Sequence, residues 1–99
     1  MKTIKEIKKQ LETLKPALKE KYQVETMGIF GSYTRGEQKR KSDIDILVEF
    51  SEPNDIDLFK FIELRLFLED ELHVKIDLVE KDAIKPRIKD RILKETVYA

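Results

Sequence analysis

The sequence predicts an α/β (α+β) fold in which a small mixed β-sheet carries helices on one of its faces. Three observations favour this fold class. Apolar residues recur every three or four positions between Ile4 and Leu18, which is typical of an amphipathic helix. Two runs rich in branched apolar residues, 44–50 and 74–79, alternate as half-buried strands do. The segment 56–72 between them lacks Gly and Pro and is long enough for a second helix.

The other elements follow from local signals. Thr3 and Glu6 have the spacing of a capping box at the start of the first helix, and Pro16 predicts a kink or a restart within it. The apolar run 24–30 ends at Gly31 and indicates a strand. The remaining predicted elements are a short helical turn and loop at 34–41, a turn at 51–55, and a last helix that begins at Pro86 and ends near Val97.

Alternation along the two later strands predicts that their acidic residues share one face of the sheet. In 44–50 the aliphatic side chains oppose Asp45, and Asp43 precedes it by two positions. In 74–79 the aliphatic side chains oppose Asp77 in the same way. We therefore expect both strands to bury their aliphatic faces under the helices and to present carboxylates from the opposite face.

Composition bounds the classes of protein to which the chain can belong. Its 99 residues predict a single domain over 1–99, and 20 basic residues balance 20 acidic ones. This neutrality argues against direct binding to nucleic acid or to an anionic membrane. The chain has no cysteine, which excludes disulfides and thiolate metal sites. It lacks the run of about 18 apolar residues that a membrane span requires, so we expect a cytoplasmic protein.

The paired acids are difficult to explain as purely structural residues. Asp43 and Asp45 would lie about 6–7 Å apart on a strand, where their repulsion costs roughly 2–3 kcal/mol at an effective dielectric constant near 20. Asp77 on the same surface adds to this cost. A divalent cation reverses the sign, because Mg²⁺ prefers hard oxygen ligands. Two such ions about 4 Å apart could bind both the attacking and the leaving oxygen of an in-line displacement.

A candidate phosphate site precedes these acids. Gly31 and Ser32 follow a strand, and glycine lets a phosphate approach the backbone closely while a serine hydroxyl donates to its oxygens. Arg35 lies one helical turn further on and could reach the same anion. Each feature alone has a plainer explanation as a turn or a solvated surface. Their conjunction favours metal-assisted nucleotidyl transfer.

The run Gly-Ser-x10-Asp-x-Asp, with Arg35-Gly36 inside it and Asp77 on a later strand, resembles the nucleotidyltransferase superfamily related to DNA polymerase β. More closely, the chain resembles the minimal nucleotidyltransferases, the MNT-type antitoxins that are paired with HEPN toxins. The resemblance extends over nearly the whole chain, from Leu14-Lys15-Pro16 in the first helix to Pro86-Arg87-Ile88 in the last.

This resemblance implies an activity and its site. In the family, AMP moves from ATP to a tyrosine of a HEPN ribonuclease toxin, which is thereby neutralised, and pyrophosphate is released. Asp43 and Asp45 would ligate Mg²⁺, with two ions expected, and Asp77 would be a further metal ligand or the general base. The residues implied to bind the nucleotide are Gly31, Ser32, Arg35 and Ser42. The implied partners are ATP and a HEPN-type toxin in a hetero-oligomer.

Two other functions stay open from the residues. The chain could neutralise its partner by stoichiometric binding, as an antitoxin or regulatory module without catalysis. It could also be a catalytic subunit whose small-molecule or nucleic-acid acceptor is held by a separate helical chain. The helix 56–72 is apolar on more than one face, which indicates burial between layers or use at an interface.

Overall fold

The computed structural model describes residues 3–31 and 43–99, which form helices on both sides of a four-stranded sheet. The predicted turn at 34–41 and the site residues Ser32, Arg35 and Ser42 lie outside these ranges. The helices are α1 (Ile4–Tyr22), α2 (Leu58–Leu72) and α3 (Pro86–Glu95), and a 3₁₀ turn covers Lys81–Ala83. The strands are β1 (Val24–Phe30), β2 (Ile44–Phe50), β3 (Ile76–Glu80) and β4 (Val97–Tyr98).

The sheet has the strand order β3-β2-β1-β4 and is mixed. β1 pairs antiparallel with both β2 and β4, whereas β2 and β3 are parallel. The parallel pair needs a crossover connection, and α2 supplies it. The predicted α+β class with a small mixed sheet is therefore confirmed, and β4 is an element that the sequence did not predict.

The start and end of α1 follow from capping. The Thr3 side chain accepts a hydrogen bond from the Glu6 amide at 3.2 Å, as the predicted capping box requires. Gln23 ends the helix in the left-handed conformation, with φ 55°. The helix is one element from Ile4 to Tyr22, so of the kink or restart predicted at Pro16 the restart does not occur, and the kink stays a prediction.

The ends of α2 place the parallel strand that follows it. Asp57 caps the helix start by accepting from the Lys60 amide at 2.8 Å, and His73 ends it in the left-handed conformation. A carboxylate oxygen of Glu69 in the last turn accepts from the Ile76 amide at 2.9 Å. This bond connects the helix to Ile76, the first residue of β3. The strand begins two positions later than the sequence predicts.

The main core lies between the sheet and the layer formed by α1 and α2. The α2 residues Leu64, Leu68 and Leu72 are fully buried in it. The opposite side of α2 is exposed, with Phe59 at 82% and Leu66 at 52% of their full accessibility. The helix is thus buried on one apolar face, as expected, and exposed on another, and use of that exposed face at an interface stays a prediction.

The third helix lies on the other side of the sheet, which corrects the expectation that the helices cover one face. Leu47 and Val79 each lie two residues after an acid of their strand, Asp45 and Asp77, so they point to the same face as the acids. They are apolar and need cover, which α3 and the segment before it provide. The buried and partly buried members of this second cluster are Phe30, Leu47, Val79, Ile84, Ile88, Ile92 and Leu93. The helix also ends earlier than predicted, because the chain after it forms β4.

Candidate active site

The parallel pairing of β2 and β3 brings two of the predicted acids together. Asp45 is the register partner of Asp77, and neighbouring strands lie about 4.8 Å apart. Asp77 is exposed, Asp45 is partly exposed, and Asp43 is exposed directly before β2. The strands therefore present their carboxylates from the face opposite α1 and α2, as alternation predicts.

Backbone bonds at the strand starts determine this register. The Ile44 amide donates to the Lys75 carbonyl at 3.0 Å, immediately before the ladder begins. This bond and the ladder after it set which residues of the two strands face each other. A slip of one residue would move Asp77 to the buried face, so the register decides whether the two acids can act together.

Gly31 directly follows β1 and borders the candidate site there. Its φ of 78° lies in the left-handed region that favours glycine. A Cβ at this position would overlap the Asp45 carboxylate oxygen Oδ2. Glycine is therefore required twice here, for the backbone conformation and for the approach of Asp45.

A fourth carboxylate at this place was not predicted from the sequence. Glu95, the last residue of α3, accepts a hydrogen bond from the Gly31 amide through Oε1 at 3.2 Å. The two residues are 64 positions apart, and no spacing motif connects them. Only the packing of α3 against the acidic face of the sheet reveals this contact.

Glu49 shows that an acid on this face is not necessarily part of the site. Its Oε1 accepts from the Thr26 hydroxyl at 3.0 Å, and its Oε2 lies 3.7 Å from Lys81 Nζ. It faces the 3₁₀ turn and β1 and has structural partners there. Both carboxylate oxygens of Glu49 are therefore occupied by partners outside the pair formed by Asp45 and Asp77.

The donor set suits a magnesium ion. Mg²⁺ is usually bound by one or two carboxylates together with water and substrate phosphates, and Asp45 and Asp77 supply such a pair on one face. Within residues 3–31 and 43–99, the side chains as oriented form no group of three acids or imidazoles that could hold a metal. Asp43 is exposed two residues before Asp45, directly ahead of β2.

Comparison with known proteins identifies the domain. Residues 11–99 match the nucleotidyltransferase domain family. The chain belongs to this family. The predicted resemblance and the predicted enzyme class are therefore confirmed, and the acids of β2 and β3 lie within the matched region.

No helix of the described residues is long and apolar enough to cross a membrane.

Similar nucleotidyltransferases span the whole length of the chain. A relative from Methanocaldococcus jannaschii is 56% identical over 99 residues, which are 99% of each protein. The protein adenylyltransferase MntA of Thermococcus cleftensis is 46% identical over 99 residues, or 99% of this chain and 97% of its own.

Solved structures of nucleotidyltransferases share the fold. A structure described as a minimal nucleotidyltransferase superposes with a TM-score of 0.78 at 29% identity, covering 97% of this chain and 95% of the other. A toxin–antitoxin crystal structure with AMP-PNP gives a TM-score of 0.72 at 25% identity, covering 92% of this chain and 70% of the other. The sheet and its helices are thus those of the minimal nucleotidyltransferase fold.

Proposed function

We propose that this nucleotidyltransferase moves AMP from ATP to a tyrosine hydroxyl group of a HEPN-type toxin and thereby neutralises it. The observation that carries the proposal is the register of Asp45 with Asp77 on adjacent strands of a nucleotidyltransferase domain. The relative MntA is named a protein adenylyltransferase, and a toxin–antitoxin structure of the same fold holds an ATP analogue. Both support a protein as the acceptor.

The reaction is a displacement at the α-phosphorus of ATP. The acceptor oxygen forms a bond to this phosphorus while the bond to the bridging oxygen of the β-phosphate breaks, and pyrophosphate leaves. The hydroxyl proton passes to a base. Asp77 is the candidate for this role because its carboxylate is exposed on the reacting face, beside Asp45.

Asp43 and Asp45 are proposed to hold Mg²⁺, and Asp77 is proposed as a further ligand if it is not the base. Bound Mg²⁺ would neutralise charge on the triphosphate and orient the leaving group. The phosphates are proposed to approach closely at Gly31, which has no side chain and against which the Asp45 carboxylate lies. The proposed nucleotide contacts of Ser32, Arg35 and Ser42 rest on the family resemblance.

The proposal is tested by weighing the acceptor. The protein is mixed with ATP, Mg²⁺ and a HEPN-type toxin from the same organism, and the toxin is examined by intact-mass spectrometry. We expect a gain of AMP mass on the toxin, and peptide mapping should place it on a tyrosine. The double variant D43N/D45N should lose at least about 100-fold in rate, since a divalent ion contributes several kcal/mol to such a transition state.

E49Q is the matched control for these variants. Glu49 lies on the same strand and face but is engaged by Thr26 and Lys81, and glutamine can keep the bond to the threonine. It should transfer AMP at a rate close to wild type. Equal losses in E49Q and D43N/D45N would mean that general damage to the sheet, and not loss of the metal site, explains the result.

The alternatives give different outcomes in the same experiment. If the toxin is neutralised without any gain of mass, and D43N/D45N neutralises it equally well, the protein acts by stoichiometric binding. If the toxin stays unmodified while an aminoglycoside or an RNA gains AMP, the acceptor class in the proposal is wrong. Either result would leave the assignment to the nucleotidyltransferase family in place.

A further inference from the structure

The C-terminal end of α3 contacts the candidate active site at one defined atom. Glu95 Oε1 accepts from the Gly31 amide at 3.2 Å in a partly buried position. Gly31 is also the residue against which the Asp45 carboxylate lies. Two carboxylates thus approach the same glycine, and the proposed reaction gives a role to Asp45 but not to Glu95.

Strand geometry explains why a side chain takes this position. Ile29 pairs with Val97 and Gly28 with Tyr98, so the same antiparallel register continued by two residues would oppose Gly31 with Glu95. At that point the chain already belongs to α3, and no strand backbone is available. The Glu95 carboxylate therefore accepts the hydrogen bond that a longer β4 would have accepted from Gly31.

The direction of the Gly31 amide separates two possible roles of Glu95. The Met27 carbonyl accepts from the Ala99 amide at 3.0 Å, so every second residue of β1 directs its backbone groups toward β4. The Gly31 amide follows this alternation and points away from Asp45. Glu95 therefore contacts this backbone from the β4 side, away from Asp45.

A second close approach ties the same segment to β1. A Cβ at Gly28 would overlap the Thr96 side chain, so glycine at this position lets the end of α3 lie directly on the strand. The Thr96 hydroxyl donates to the Ile92 carbonyl at 2.7 Å, which fixes its orientation. The end of α3 is thus held on β1 at Gly28 and at Gly31.

We propose that Glu95 is a positioning residue that holds Gly31, and with it the phosphate-binding side of the site, in the conformation that ATP requires. The inference rests on the proposed function, because it presumes that Gly31 contacts the nucleotide. Glu95 touches neither the nucleotide nor the acceptor in this role. It acts through the backbone of Gly31 and through the place that this glycine leaves for Asp45.

Three variants test the role. E95A removes the acceptor, E95Q keeps an oxygen that can accept the same bond, and D90A removes an exposed carboxylate from the same helix as a control. Loss of a hydrogen bond to a charged group corresponds to roughly a tenfold or larger effect. We expect E95A to raise Kd for AMP-PNP with Mg²⁺, and KM for ATP, by about this factor, with a much smaller change in kcat. E95Q and D90A should stay within about threefold of wild type.

A direct structural readout accompanies the binding data. Amide hydrogen exchange at Gly31, followed by NMR, should accelerate in E95A and not in D90A. If E95A does not fold, E95D takes its place, because the shorter side chain keeps the charge but falls short of the amide. Its exchange and KM should then change as expected for E95A.

Three outcomes would overturn the inference: nucleotide binding by folded E95A equal to that of wild type, unchanged exchange at Gly31, or an E95Q variant as impaired as E95A. Failure of the proposed function gives a separate signature. Wild-type protein that binds AMP-PNP but modifies no toxin leaves the positioning role supported by the binding and exchange data. Wild-type protein that binds no nucleotide overturns both proposals.

Discussion

At the scale of single residues, Gly31 carries the strictest requirement in the described part of the site. Its positive φ is costly for any residue with a Cβ, and the space that a Cβ would need is taken by the Asp45 carboxylate. Sequence reasoning selected Gly31 because a phosphate could approach it. The structure adds that an acidic side chain of the neighbouring strand already does so.

Substitution of this glycine should separate activity from stability. We expect G31A to cost about 1–2 kcal/mol of stability for the left-handed backbone. We also expect it to lose most of its nucleotidyl transfer, because the added methyl group displaces Asp45. Chemical denaturation measures the first effect, and the rate of AMP transfer per folded molecule measures the second.

G28A is the control for this prediction. Its added Cβ overlaps Thr96 on the β4 side, away from the acids, so it should lose stability but bind Mg²⁺ and AMP-PNP nearly as wild type does. A G31A variant with normal transfer would show that Asp45 does not need its present position.

At the scale of secondary-structure elements, the two helices on the main core meet through polar as well as apolar contacts. Tyr22 at the end of α1 is 5% exposed, and its ring lies 5.8 Å from that of Phe67 on α2. Burial raises the pKa of Tyr22 above its usual value of 10.0, and the hydrogen bond and negative charge of Glu63 raise it further. The neutral phenol is thus the form that the folded protein favours.

This shift predicts a loss of stability in alkali. Above pH 10 the unfolded chain releases the Tyr22 proton while the folded protein still retains it, so the unfolded state binds fewer protons and the free energy of unfolding falls as pH rises. The contribution of Tyr22 is fully present below pH 10 and is lost as pH rises through the pKa of the folded state.

Urea denaturation between neutral pH and pH 11 measures this effect, with Y22F as the matched variant. The phenylalanine keeps the ring packing on Phe67 and has no proton to lose. We expect its stability to fall less steeply above pH 10 than that of wild type. Identical pH profiles for the two proteins would contradict the raised pKa of Tyr22.

The side of the sheet on which α3 packs does not follow from the sequence of α3 itself. Its apolar residues predicted a helix with one inward face, which is correct, but not the side of the sheet that it covers. Leu47 and Val79 decided this, because they stand among the acids and need cover. The consequence is that α3 ends beside Gly31, where Glu95 can reach the backbone amide.

At the scale of the whole molecule, the repulsion among acids on one face should make the protein sensitive to its ligands. A ligand that binds only the folded state stabilises it by about 2.7 kcal/mol at 100 times its Kd. For a domain of this size, each kcal/mol raises Tm by roughly 4–8 °C. We therefore expect Mg²⁺ with AMP-PNP to raise Tm by about 10 °C or more, as scanning calorimetry can measure.

Removal of the metal is the control for the thermal shift. Excess EDTA should abolish most of the gain at the same AMP-PNP concentration, because the nucleotide then adds its negative charge to Asp45 and Asp77 without a cation between them. D45N should show the same small shift with or without EDTA. A gain in Tm that survives EDTA in full would show that the nucleotide binds without a metal at these acids.

Local sequence signals predicted most of the secondary structure, and the exceptions at Pro16 and β4 have physical causes. Helix periodicity, strand alternation and caps predicted the three α-helices and the first three strands of the described residues, because each depends on neighbours in the chain. The helix does not restart at Pro16, one of the two effects predicted there, because one missing amide bond is outweighed by the apolar contacts of the helix on both sides of it. β4 escaped prediction because a two-residue strand has no period of its own.

The site divides in the same way. The sequence by itself predicted the family, the face on which Asp43, Asp45 and Asp77 stand, and Gly31 as a candidate site residue, since alternation and motif spacing are properties of the chain. Only the tertiary structure decided that Asp45 faces Asp77, that Asp45 lies against Gly31, and that Glu95 holds the Gly31 amide. These contacts join residues far apart in sequence, and the register of the strands and the packing of α3 create them.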